Sequence, residues 1–239
     1  AYGIDPYVLL NYQGTLDHVF TLAHEMGHAL HSYYSDSNQS YINAGYKIFV
    51  AEVASTCNES LLIHYLLKNT DNKAEKAYLI NHFLEQFKGT LYRQTMFAEF
   101  EKITHKMVEE GETLTSDILC KVYYDLNKQY FGEDMVLDEE IALEWARIPH
   151  FYNPFYVYQY ATGISAAIAL SKKIMEQGEA GVKDYMKFLT GGGSKDPIDL
   201  LKLAGVDMTT KEPIEKALEL FKELLDQMEQ SFLSIDTNA

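Results

Sequence analysis

Two histidines four residues apart with a glutamate after the first, His24-Glu25-Met26-Gly27-His28, restrict this chain more than any other stretch of it. The pattern works as chemistry only on a helix. There, residues four apart stack on one face, so both imidazoles can aim at a single metal ion with Glu25 beside it. The flanking sequence predicts that helix over roughly Leu16 to Tyr34. Leu16, Val19, Phe20, Ala23, Gly27 and Leu30 recur at three- and four-residue steps, which gives a core face with the histidines along its margin. Gly14 and Thr15 supply a turn and an N-cap.

A zinc ion on two histidines needs a third protein ligand and, for catalysis, an open position. A third histidine six residues after His28 with a glycine between is ruled out, because His31 stands at the glycine position and Tyr34 at the histidine position. The other solution is a glutamate from a later helix, and Glu52 within Phe49–Glu59 is the candidate. Val50, Val53, Ala54, Cys57 and Leu61 make an apolar stripe there, while Glu52 and Glu59 share a different face two turns apart. One helix can thus offer one carboxylate to the metal and a second to its surroundings. A helical binding or interaction module with a structural zinc is the competing expectation, and four protein ligands would mark it.

Along the rest of the chain, Pro6 to Tyr12 reads as a short strand. It is either an edge whose backbone pairs with an extended peptide or a strand paired within the protein. Ser35 to Ser40 reads as a polar loop, and the Glu52 helix runs from about Ala44 to Leu67. A long helical segment covers Lys73 to Glu110 with Gly89 as its break. Thr115 caps a helix to about Tyr130; Asp138 caps another through Trp145, which Pro149 stops. His150 to Gly163 is crowded with aromatic rings and either packs as core or lines a pocket. Gly191-Gly192-Gly193-Ser194 lacks the ending of a phosphate-binding loop and reads as a flexible connection or lid hinge. Pro197 and Pro213 open the last two helices. No repeat or linker divides the 239 residues, so one domain is expected.

A net charge of -15 argues against a nucleic-acid partner, since phosphate contacts come from lysine and arginine. Cys57 and Cys120 cannot make a disulfide framework and read as small buried residues, which fits a reducing cytoplasm. No apolar run reaches the length of a membrane span, the best being Gly163 to Leu170, so no membrane partner is expected. With Ala1 taken as the true start, no signal peptide is expected.

Leu10 to Thr15, the His24–His28 motif, Phe49 to Glu59, Phe131 to Asp134, Trp145 to Tyr152 and Tyr156 to Gly163 together resemble the thimet-oligopeptidase-like zinc metallopeptidases. The oligoendopeptidase F branch is the most similar, and the resemblance covers essentially the whole chain. It implies a mainly α-helical, multi-helix zincin-like catalytic domain over residues 1–239, with the short β edge strand near its N-terminus and a deep substrate channel. It also implies one zinc ion on His24, His28 and Glu52, Glu25 as general base, Glu59 as the carboxylate behind the ligands, and hydrolysis of internal bonds of short peptides. His150 and Tyr160 would face the scissile carbonyl. Distant relatives pair tyrosines three apart, whereas Tyr156, Tyr158 and Tyr160 stand at two-residue steps, which leaves the second donor unassigned. Family members are much longer, so the chain matches their C-terminal catalytic part. The expected partners are short peptides and an N-terminal part that forms the opposite channel wall.

Overall fold

The helix around the histidine pair spans Leu16–Asn38 (α1), with Thr15 in an extended conformation accepting from the His18 N–H as its N-cap. It outruns the expected end because Ser35 turns inward: its buried hydroxyl donates to the Ala44 carbonyl at 2.5 Å, so the polar stretch closes the helix instead of leaving it. A single turn, Tyr41–Ala44 (α2), leads to the Glu52 helix, Ile48–Asn69 (α3), and then to Lys73–Gln86 (α4). The break expected at Gly89 is a π-helical segment, Phe87–Tyr92, from which Arg93–Glu109 (α5) continues. Ser116–Phe131 (α6) carries the Thr115 cap. Two 3-10 segments follow, Glu139–Arg147 and Pro149–Tyr152. Then come Tyr158–Gln177 (α7), Glu179–Leu189 (α8), Pro197–Leu203 (α9) and Glu212–Asp236 (α10). This computed structural model describes residues 1–236, and no helix among them is long and apolar enough to cross a membrane.

Two compact units divide the chain: Ala1–Phe87 with Thr162–Ala239, and Lys88–Ala161. Both boundaries fall within or against helical segments, so no linker composition announces them. In the first unit Val50, Val53, Ala54 and Cys57 of α3 pack with Ala166, Ala167 and Leu170 of α7 and with Phe188 and Leu200 from the helices beyond. Helices α1 and α3 approach closely at Gly27. A Cβ on Gly27 would stand 2.4 Å from Ser55 Cα and 2.9 Å from the Ala54 carbonyl oxygen, so only glycine lets the two backbones meet there.

The glycine run at 191–193 is not a lid hinge. Gly191 and Gly192 are buried, the Gly193 N–H donates to the Asn43 carbonyl at 2.7 Å, and a Cβ on Gly192 would meet the Asn43 oxygen at 2.4 Å. Gly192 and Gly193 are contact residues, small because the backbone of Asn43–Gly45 lies against them, and Gly191 is pressed against Leu200. The strand expected over Pro6–Tyr12 is not found either: those residues carry no regular structure, and Tyr7 and Leu9 are almost fully exposed. A strand exists only by pairing its backbone, and among the described residues no strand is present to pair with it.

The second unit closes on Met96, Phe97, Phe100, Tyr123, Leu126, Ile148 and Val157. Glu144 is buried beside this core. It accepts from the Tyr123 hydroxyl at 2.6 Å, from Arg93 at 2.5 Å, and from Arg147. Burial alone would raise its carboxyl; the Tyr123 hydroxyl and the two arginines outweigh it and hold the pKa below the ordinary carboxylate value.

Two outcomes follow from this packing. Gly27→Ala should force α1 and α3 apart, at about 1–3 kcal/mol and a melting temperature lower by roughly 5 °C, readable by calorimetry. Glu144→Ala should cost about 3 kcal/mol in urea unfolding, because it strands the buried Tyr123 hydroxyl and removes the partner of Arg93. With its folded pKa depressed, Glu144 contributes stability that is present above the unfolded carboxyl pKa and lost as pH falls through the folded one. The part of the penalty that comes from the carboxylate charge should therefore disappear in strong acid, while the part from the stranded Tyr123 hydroxyl remains.

Candidate metal centre

The helical spacing places the His24 and His28 side chains one turn apart on α1, and the Gly27 contact brings α3 alongside at that level. His24 Nε2 and His28 Nε2 stand 3.1 Å apart. Glu52 Oε2 lies 3.2 Å from the first and 3.6 Å from the second. Ligands 2.0–2.2 Å from a tetrahedral zinc ion lie about 3.3–3.6 Å from one another, so the three atoms fit around such an ion. Among the described residues these three make up the whole group able to hold a metal. This is the count of a site with an open position, and no fourth protein ligand of a closed structural site joins it. Gly163 of α7 backs Glu52; the place its Cβ would take is 3.6 Å from the Glu52 Cβ.

Charge points the same way. Burial would push the His24 imidazole down, but Glu52 on one ring nitrogen and Glu59 on the other outweigh it and raise it to about 10. His24 in turn holds the Glu52 carboxyl below its usual range despite burial. Two carboxylates gathered on a pair of imidazoles make a place for positive charge. Glu59 Oε2 is 3.3 Å from His24 Nδ1, which leaves Nε2 turned to the shared point. His31, the neighbour that breaks the three-histidine pattern, is a core residue. It stacks on Tyr46 with ring centroids 3.8 Å apart, and burial and then His28 push its pKa down to about 3.

Glu25 is half-buried on α1 and lines a cleft of about 240 Å3 together with Tyr7, Val8, His28, Ser32 and Asp36. The residues expected at the carbonyl come together in the second unit: Tyr160 Oη lies 3.3 Å from His150 Nε2. Tyr156 completes this cluster, with ring centroids 5.5 Å from His150 and 5.6 Å from Tyr160, whereas Tyr158 is more exposed. Sequence spacing could not single Tyr156 out, because the backbone turns between it and the start of α7. Phe155 just before it has φ 59°, a strained conformation for an aromatic residue, and its N–H donates to the buried Glu101 carboxylate at 3.0 Å.

The profile of peptidase family M3 matches residues 4–220. Oligopeptidase PepF of Bacillus subtilis is 55% identical over 98% of this chain, which spans 35% of that protein. The chromosomal oligoendopeptidase F of Lactococcus lactis subsp. cremoris is 44% identical over 96% of the chain and 38% of its own length. The crystal structure of oligoendopeptidase-F from Enterococcus faecium superposes with a TM-score of 0.81 at 46% identity, over 91% of this chain and 39% of that one. The chain thus spans between a third and two fifths of the relatives it matches. With the mainly helical fold and nearly all of the sequence aligned to such relatives, the chain belongs to peptidase family M3, in its oligoendopeptidase F branch.

Proposed function

We propose that the chain is the zinc-binding catalytic part of an oligopeptidase that hydrolyses internal bonds of short peptides. The observation that carries this reading is the convergence of His24, His28 and Glu52 at tetrahedral ligand spacing, with the third carboxylate, Glu25, following the first histidine and facing a cleft. His24, His28 and Glu52 would hold the ion. When bound, zinc supplies Lewis acidity toward water and toward a peptide carbonyl. Glu25 would take a proton from the attacking water as its oxygen bonds to the carbonyl carbon, and hand that proton to the amine as the C–N bond breaks. His150 and Tyr160 would donate to the carbonyl oxygen as it gains charge, and Tyr156, packed on both, is the second tyrosine donor. Removing one such donor costs about 2.7–4 kcal/mol of barrier.

Residues 1–239 then act as one catalytic region. The deep channel is completed by an N-terminal part of the kind that the longer relatives carry, and short extended peptides are the substrates that enter it. The cytoplasm is the compartment that suits Cys57 and Cys120, both unpaired. A non-catalytic peptide-binding module is disfavoured by Glu25, since binding has no use for a base at that position.

Metal analysis should find one zinc per chain, removable with a chelator. A quenched fluorescent peptide should be cleaved by the zinc-loaded chain when it is supplied with the N-terminal part of a close relative. Glu25→Gln should keep the zinc and lower turnover by at least 100-fold. Normal cleavage by that variant would remove Glu25 from its role, and a chain without zinc would remove the reading as a whole.

A further inference from the structure

We infer that Gln86 is a positioning residue for the metal ligand His24, acting through Glu59. This rests on the metal site proposed above. The two oxygens of Glu59 are divided: Oε2 faces His24 Nδ1 at 3.3 Å, while Oε1 accepts from Gln86 Nε2 at 3.3 Å. Swinging the carboxylate away from either partner breaks the contact with the other. An imidazole that ligates through Nε2 depends on the group at Nδ1 for its tautomer and ring orientation, and removing such a group weakens metal binding by 10–100-fold in other proteins. Gln86 stands one step farther out and fixes the group that fixes the ring.

The neighbouring contacts show why α4 brings Gln86 to this point. One turn earlier on α4, His82 lies against Phe20 of α1 with ring centroids 4.3 Å apart. Phe20 is itself one turn before His24, so the two helices keep step: His82 meets Phe20, and Gln86 reaches the level of His24 with Glu59 between them. Asn58, next to Glu59, donates to the Ala23 carbonyl at 2.6 Å and locks α3 to α1 at the same level. Gln86 is also the last residue of α4, immediately before the π-helical segment. Its amide carries no charge, so it holds the Glu59 carboxylate without neutralising the negative field that His24 and the ion require.

The test uses Gln86→Met, which keeps the length and packing of the side chain and removes its donor, with zinc affinity measured on the 239-residue chain by chelator competition. Zinc binding should weaken by about 3–10-fold while the melting temperature of the metal-free chain stays within about 2 °C of the parent. In a Glu59→Ala background the same substitution should have no further effect on zinc affinity, because the two residues act in series. An unchanged affinity in Gln86→Met, or a full additional loss in the Glu59→Ala background, overturns the inference while leaving the metal site intact. Should Glu59→Ala fail to fold, the single Gln86→Met measurement decides. A parent chain that binds no zinc overturns the metal site itself and this inference with it.

Discussion

The approach of α1 to α3 at Gly27 is the contact on which the candidate site depends. Helices ordinarily pack 8–10 Å apart, set by the side chains between them. Here glycine lets the α1 backbone come against Ser55 and Ala54, one turn from Glu52. That proximity lets a short glutamate side chain reach two imidazoles rooted on the other helix. The Gly27 position inside the His24–His28 motif is therefore part of the geometry of the site, even though it supplies no ligand atom.

Around that contact the molecule gathers more negative charge than it neutralises. Glu52 and Glu59 flank His24 on opposite ring nitrogens, and Glu25 lines the cleft beside them. The second unit handles its buried carboxylates in other ways: Glu144 is matched by two arginines and a tyrosine, while Glu101 is tied to the backbone of a strained turn. The contrast separates a carboxylate that serves packing from those left to attract a cation.

What could be read from the sequence was what is local. The helical period around the histidines, the Thr15 and Thr115 caps, the break at Gly89 and the apolar stripe of α3 all depend on residues within a few turns of one another, and the structure contains each of them. The misread features depend on partners far along the chain. Pro6–Tyr12 has strand composition but, among the described residues, no strand to pair with, and Gly192 and Gly193 belong to a run with the composition of a hinge but are packed against residues 43–45. Tyr156 could not be told from Tyr158 by spacing, and Gln86 carried no signal, for the same reason: a turn after Phe155 and a register set by Phe20 and His82 place them.

Because α1 and α3 follow one another with only a short turn and a single-turn helix between them, the loop that must close to assemble the three converging side chains is small. The entropy lost in closing it is correspondingly low, and contacts of low sequence separation form early in folding. A chain synthesised from its N-terminus would complete this helical pair before α7 exists to cover it. The three side chains of the candidate metal site are thus among the first in this region able to find one another, and the segments that shelter them arrive afterwards.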